Sequence, residues 1–427
     1  MDVIIGAGLS GLTTGIDLVK MGRDVIVLEK EAHVGGLAAS QTLPDGYVHD
    51  IGFHVIIPDA IPLFEMVRRS GIEKDLIHFD MKFGFMKNRK IYQFSPNPVS
   101  LAKFPLLDAK EKLKLGMLIH NIDNLKEDDF RKMSARTFII EKIGDNAYQS
   151  FYEPLLTRLS GIPPEELSSL FFISFCKLLG KVKNYSLCYP RKGIGELSNG
   201  LAAYFESMNG NIRTECEVKK ITIHNDRVKG VIFSNNGEEK EIDVSNVVST
   251  LPLNKLPDIV ELPVDYSKRL KDIKYSQFNI AYFGLNSKIT DYNMEVMVPR
   301  NEGFCFNSFT EISNISNEVA PKGKSLMNIV AAQHVVNGNE EKVLNRITED
   351  MNQLFPGFAK KIIWSKLMRC PYPSVTGEYL SLKPDFASPV KGLYLGGAQM
   401  FPIPDMPTAI VSGHIISNMI QGASRQG

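Results

Sequence analysis

The sequence predicts an α/β protein in which a Rossmann-like dinucleotide-binding domain is interleaved along the chain with an α+β domain. Two observations predict the first domain. An apolar strand runs directly into a glycine turn and a helix, and a second apolar strand then ends on an acid. The length predicts the second domain, because 427 residues exceed what one hydrophobic core usually organises. With 44% hydrophobic residues the chain can fill both cores.

Val3, Ile4 and Ile5 form a buried strand, GAGLSG places Gly6, Gly8 and Gly11, and an amphipathic stretch follows to about Met21. Gly6 permits the turn, Gly8 lets a pyrophosphate approach the backbone, and Gly11 lets helix and strand pack closely. Ala7, Leu9 and Ser10 complete this phosphate-facing loop, and the helix N-terminus meets the phosphate charge. Asp24 to Leu28 is the second strand. It delivers Glu29, with Lys30 beside it, about 20 residues beyond the turn, where an acid accepts hydrogen bonds from ribose hydroxyls. This fingerprint alone does not separate NAD from FAD. The next residues, KEAHVGGLA, favour FAD. A second glycine pair, Gly35 and Gly36, follows the acid at short range and brings more backbone N–H groups to the pyrophosphate, which NAD domains do not need.

An acid followed at this spacing by a glycine pair resembles the family of FAD-dependent amine oxidases, protoporphyrinogen oxidases and phytoene desaturases. The resemblance implies a glutathione reductase-type FAD domain of amine oxidase-like topology, holding FAD non-covalently. In DIGFHVI it places Gly52, Phe53 and His54 near the flavin ring. YPRKGIGELSNGLAAYF, with Gly193 and Gly195, is similar to the turn and helix that return the chain to the FAD domain. Val218, in the strand Glu217 to Ile221, matches the position that touches adenine through backbone atoms, and Thr250 lies in the closing strand and turn, Val247 to Pro252. The C-terminal segment supplies a strand, the pair Gly396 and Gly397, Ala398, a proline-rich loop, and a final helix entered through Met406, Pro407 and Thr408. That helix is expected to point its N-terminus at the flavin pyrimidine edge, where N–H donors and the dipole stabilise negative charge. The chain departs from the family at two positions. Leu37 and Ala398 stand where many relatives carry an arginine and an acid.

On this basis residues 1–80, 185–262 and 376–427 are expected to form the FAD domain, and 81–184 and 263–375 the substrate domain. The first insertion reads as helical, with a capping-box pattern at Asp108 and Glu111 and a helix opened by Pro163-Pro164-Glu165-Glu166 that runs through Leu179. The second reads as sheet, from Phe278 to Leu285 and from Ser325 to Ala332. Leu170 to Phe175 fits a membrane contact or a buried helix face, and the run is too short and lacks the basic polar face of an interfacial helix, so core is the preferred reading.

The charges bound the partners. There are 49 basic and 48 acidic side chains, which gives no electrostatic reason to expect nucleic acid. Five cysteines without CxxC spacing suggest neither disulfides nor a metal site, and they fit a reducing cytoplasm. Neither a cleavable signal peptide nor a spanning helix is recognisable, while peripheral membrane contact and oligomeric state stay open.

The expected chemistry is removal of hydride from an organic, apolar or aromatic small molecule, with oxygen, a quinone or another acceptor reoxidising the flavin. Alternatives are an amine oxidase, a non-redox flavoenzyme resembling UDP-galactopyranose mutase, and, ranked last, a non-catalytic flavin protein. Asn279 falls where amine oxidases often carry a lysine, which weighs against that branch. Tyr275, Asn279 and Phe283 are expected on the cofactor-facing side of their strand, with Phe278 and Tyr282 turned away. No catalytic residue and no metal ligand is assigned. Arg158 is left without a role, and His54 is read as a flavin neighbour only.

Overall fold

The computed structural model describes residues 1–427 apart from 236, 334–337 and 427. A five-stranded parallel sheet is built in the order Leu393–Leu395, Asn246–Ser249, Asp2–Ile5, Val25–Leu28, Asn211–Arg213. Val3 lies level with Val247 on one side and with Ile26 on the other, so the two strands read from the N-terminal sequence are central or next to central. Both faces are buried, as a parallel sheet requires. Val3, Ile5, Ile26 and Leu28 share a core with Val218, Val231 and Phe233 of a three-stranded antiparallel sheet. Ile4, Val25 and Val27 pack instead with Leu12, Ile16, Leu201, Phe205 and Ile416 of three helices.

Those helices are Leu9–Lys20, Gly195–Ser207 and the terminal Met406–Gln426. The turn into the first of them is tight. Gly6 adopts φ +101°, in the left-handed region open to glycine. A Cβ on Gly11 would collide with the Gly6 carbonyl oxygen and lie 3.2 Å from Ile4 Cγ2.

A second, seven-stranded mixed sheet runs Ile362–Pro373, Tyr275–Leu285, Ser325–Ala331, Phe306–Glu311, Glu295–Met297, Phe83–Lys87, Lys90–Phe94. One of its faces is covered by the amphipathic helix Glu340–Leu354, whose Val343, Ile347 and Met351 meet Phe283, Phe306 and Phe309. The helical insertion packs around Phe85, Phe94, Phe104 and Phe151. Its capping box is formed, with the Asp108 side chain accepting from Glu111 N–H at 2.8 Å and Glu111 accepting from Asp108 N–H at 3.0 Å.

One expected boundary moves. The helix thought to open at Pro163 begins at Ser169, and Pro163 to Glu166 is a turn closed by Glu166 N–H on Pro163 O at 2.9 Å. Ser168 is the better cap, since its hydroxyl accepts from Leu170 N–H, and its own N–H is held extended by Val375 O at 2.9 Å. Leu170, Phe171, Phe172 and Ile173 are buried, in agreement with the core reading. All five cysteines are free and buried. Among the described residues no helix is long and apolar enough to cross a membrane.

The clash at Gly11 involves backbone, which cannot move aside. Gly11→Ala is therefore expected to destabilise the flavin-free protein by about 3 kcal/mol, at the upper end for overpacking, as read from its urea unfolding midpoint. An unchanged midpoint would show that the turn relaxes freely.

Candidate cofactor and active site

The glycine turn and the second glycine pair meet at the C-terminal ends of the parallel strands. Gly35 N–H donates to Ala7 O at 2.8 Å, and Gly8 bridges to Gly35. The helix Leu9–Lys20 starts beside them with no side chain capping its N-terminus. That leaves the N–H groups around Leu9, Ser10 and Gly11 for a ligand. Gly8 has an ordinary φ of −74°, and a Cβ there would meet nothing nearer than Gly35 O at 3.9 Å. The fold itself does not require glycine at that position, so the open space in front of it is the reason for its small size.

Glu29, 7% exposed, sits at the end of the second strand. Its Oε2 accepts Ala7 N–H at 2.7 Å and its Oε1 accepts Glu31 N–H at 3.0 Å. The acid reserved by sequence for a ribose thus also ties the glycine turn to the second strand. Its carbonyl accepts Cys216 N–H at 2.8 Å, which brings the buried Val218 to the same edge. Lys30 is not brought in. It is exposed and faces Glu31 at 3.4 Å.

Thr250 closes the opposite side, its hydroxyl donating to Ile5 O at 2.8 Å. Gly397, at φ +107°, donates its N–H to Ser412 Oγ at 2.9 Å and to Ser10 Oγ at 3.1 Å, so the C-terminal segment is stitched to both the first and the last helix. Ala398 begins a short 3-10 turn. The terminal helix does begin at Met406, but its entry differs from the open N-terminus expected. Asp405 caps it, accepting Thr408 N–H at 2.8 Å, while Asp405 N–H donates to Thr408 Oγ1 at 2.9 Å. Thr408 therefore spends its N–H and hydroxyl within the turn, and burial raises the Asp405 carboxyl above its usual range.

Gly52, Phe53 and His54 stand between the two sheets. Gly52 N–H donates to Leu37 O at 3.0 Å, so Leu37 contributes its carbonyl while its side chain stays exposed. Phe53 lies 6.3 Å from the Tyr189 ring. His54 Nδ1 is 2.6 Å from Gly52 O. A carbonyl can only accept, so Nδ1 carries the proton and Nε2 is left as an acceptor. Burial, aided by the charge of Arg158, lowers the His54 pKa and keeps the ring neutral at pH 7.

The large sheet turns a different set of rings toward this segment than expected. Phe278, Ile280 and Tyr282 share a cluster with Phe53, Val55, Tyr47 and Tyr189. Phe283 lies on the opposite face, against Phe358 and the covering helix, and Asn279 alternates onto that same face. The alternation was read correctly and the face was not. The helix Glu340–Leu354 decides which side is covered, and it lies far along the chain. Tyr275 donates to Gln399 Oε1 and accepts from Leu253 N–H at 2.8 Å, acting as a tie between the sheets. Phe278, which shares the cluster of Phe53, has the Tyr372 ring 5.8 Å away between centroids, and the Arg158 guanidinium, paired with Glu295, lies 5.3 Å from the Phe278 ring centroid.

Sequence reasoning missed a buried polar cluster behind the second glycine pair. Asp50 accepts Ser40 Oγ–H at 2.6 Å, Tyr189 O–H at 2.7 Å and Ile194 N–H at 3.0 Å, and Ser40 in turn accepts Gly195 N–H at 2.7 Å. Asp50 was visible as the acid that opens DIGFHVI, but two of its three partners, Tyr189 and Ile194, come from a segment about 140 residues away. Among the described residues no group of three or more His, Cys, Asp or Glu could hold a metal.

An uncapped helix, a glycine turn and a buried acid at the ends of a parallel sheet define a dinucleotide-binding α/β enzyme. The chain belongs to the flavin-containing amine oxidoreductase family, whose model matches residues 9–420. It is 21% identical to 15-cis-phytoene desaturase of Synechococcus elongatus, over 98% of this chain and 95% of that one. To zeta-carotene desaturase of Synechocystis sp. it is 22% identical, over 96% and 95%. An oxidoreductase from Methanosarcina mazei shares its fold at a TM-score of 0.79 and 18% identity, with 98% of this chain and 99% of that chain covered. The protein is an FAD-dependent oxidoreductase.

Two predictions follow from this geometry. Gly8→Ala should leave the unfolding midpoint of the flavin-free protein within about 0.5 kcal/mol of wild type, because the added methyl has room, yet weaken FAD binding at least tenfold in equilibrium dialysis. Loss of stability without loss of FAD would reverse the assignment. The second concerns Asp50, whose carboxyl is pushed by burial from 3.8 up to about 6 despite its three donors. A proton is held more tightly in the folded state, so this contribution is full below about pH 4 and is lost as pH rises through about 6. Relative to Asp50→Asn, wild type should lose on the order of 2–3 kcal/mol between pH 4 and 7 in urea titrations. Parallel curves for the two proteins would remove Asp50 as their source.

Proposed function

We propose that this enzyme dehydrogenates an extended apolar substrate, of the polyene or tetrapyrrole-precursor kind, beside FAD held non-covalently at the edge of the parallel sheet. The observation that carries the reading is the ring pair of Phe278 and Tyr372, of which Phe278 shares a hydrophobic cluster with Phe53. Its similarity to a 15-cis-phytoene desaturase and a zeta-carotene desaturase supports it.

The chain's own geometry fits the cofactor. The space before Gly8, the uncapped helix, and a Gly36 whose Cβ would meet nothing nearer than Gly8 Cα at 3.7 Å form a cradle that side chains would fill. In this reading Gly6, Ala7, Gly8, Leu9, Ser10, Gly11, Gly35, Gly36 and Leu37 hold the pyrophosphate. Glu29 borders the ribose, with exposed Lys30 left outside the site, Val218 and Thr250 border the adenosine side, and Gly52, Phe53, His54, Gly397, Ala398, Met406, Pro407 and Thr408 the flavin. The division into an FAD domain (1–80, 185–262, 376–427) and a substrate domain (81–184, 263–375) belongs to the same proposal, as does a reducing, cytoplasmic compartment, which the five free cysteines support.

Bound FAD supplies the hydride acceptor. The residues around it position and desolvate the substrate. Phe278 and Tyr372 offer ring faces, and neutral His54 presents an acceptor nitrogen without adding charge. A sugar-nucleotide mutase would need cations free for a pyrophosphate, whereas Arg158, the cation on this wall, is bound to Glu295.

The test is flavin absorbance under nitrogen. Bleaching by a hydrophobic polyene or tetrapyrrole precursor, slowed at least tenfold in Phe278→Ala, is the expected result. Turnover of a UDP-sugar only after dithionite reduction would establish the mutase reading in its place.

A further inference from the structure

The cofactor cradle uses the C-terminal ends of the parallel strands. At the opposite ends, where Asp2, Asn246 and Leu393 begin three neighbouring strands, lies a cavity of about 460 Å³. That volume falls in the usual range for a small-molecule site. Its charge has one sign. Arg23, Arg227 and Lys391 line it, and among the described residues no acid does.

Arg23 is already neutralised by the buried Asp2, whose Oδ1 accepts Arg23 Nη2–H at 2.9 Å and Asn246 Nδ2–H at 2.8 Å. The other two cations have no such partner. Arg227 Nη2 reaches only Ser245 O, at 3.5 Å, and among the described residues neither Arg227 nor Lys391 forms an ion pair. An isolated parallel bridge joins these two residues, so they stand side by side at the rim. Like charges on paired strand positions repel, and an anion between them removes that cost. Their placement is fixed by backbone, since Lys391 N–H donates to Asp226 O at 2.9 Å and Val228 N–H donates to Lys391 O at 3.0 Å.

The floor of the cavity is buried. Tyr394, 8% exposed, lies on it, and among the described residues its hydroxyl has no hydrogen-bond partner. A phenol at this depth ordinarily has one. Burial raises its pKa and the charge of Arg227 opposes the rise, which puts that guanidinium within electrostatic reach of the hydroxyl. Val390 and Leu393 add an apolar wall. We propose that this cavity binds a phosphate monoester of a small organic molecule. The phosphate lies between Arg227 and Lys391, the Tyr394 hydroxyl donates to it, and the organic body rests on Val390 and Leu393.

The site is separate from the flavin reading and can fail without it. The experiment is isothermal titration calorimetry of the FAD-loaded enzyme, whose pyrophosphate cradle is filled, with phenyl phosphate as the probe. One molecule per chain is expected to bind, at least tenfold more tightly than inorganic phosphate or phenol. Affinity should fall at least tenfold in Arg227→Ala/Lys391→Ala and about tenfold in Tyr394→Phe, with flavin content retained in both. Tyr394→Phe leaves every charge in place, so its loss separates a formed site from attraction to exposed cations. No binding by wild type, binding no tighter than that of inorganic phosphate, or undiminished affinity in either variant would each overturn the proposal.

Discussion

The arrangement depends on one constraint, the contact of helix Leu9–Lys20 with the strand that precedes it. Only three residues separate Ile5 from Leu9, so the chain must reverse with its backbone almost touching itself. Gly6 supplies the left-handed turn and Gly11 the missing side chain, and Thr250 then seals the strand end by donating to Ile5 O. Because this contact is so close, the helix starts at the sheet edge itself. Glu29, Gly35 and Gly397 are all referenced to that start, through Ala7 N–H, Ala7 O and Ser10 Oγ.

Besides the hydrophobic core that Val3 and Ile5 share with Phe85 and Met297, polar ties around this edge join the two sheets. Tyr275 reaches Gln399, whose Nε2 donates to Leu251 O at 2.7 Å and Gly396 O at 2.8 Å. Tyr372 O–H donates to Pro404 O at 2.7 Å, at the entry of the terminal helix. Each tie begins on the large sheet and ends on a loop that flanks the cofactor cradle. Shifting the large sheet would therefore misplace those loops, which couples the ring wall to the cofactor side through directional bonds as well as packing.

Much of the parallel sheet was legible in the sequence because its signals are local. Val3 to Ile5, the glycines, Asp24 to Leu28 and Glu29 lie within thirty residues, and each answers a requirement of backbone geometry. What was not legible depends on partners distant in the chain. The strand Tyr275–Leu285 alternates as expected, but it is buried on both sides, so composition does not say which side meets Gly52 and which meets the helix Glu340–Leu354. Asp50 shows the same limit, since an acid before a glycine carries no hint that Tyr189 and Ile194 will converge on it. Asp405 lay within the recognised C-terminal segment, yet its capping bond turns on side-chain geometry that a proline-rich loop leaves open.

The polar atoms of the aromatic residues share a direction that bears on the chemistry. Tyr372 gives its hydroxyl to Pro404, Tyr275 to Gln399 and Tyr189 to Asp50, so in each case the O–H is spent on the scaffold and the ring is what remains to face the interior. Burial raises the pKa of all three, which keeps them from acting as proton donors or acceptors near neutral pH. His54 is likewise held neutral, with one nitrogen already bonded. A wall organised in this way can shape and desolvate a bound molecule but has little acid or base to offer it. Such a surface suits a reaction whose electrons are taken by a cofactor and whose protein contribution is position.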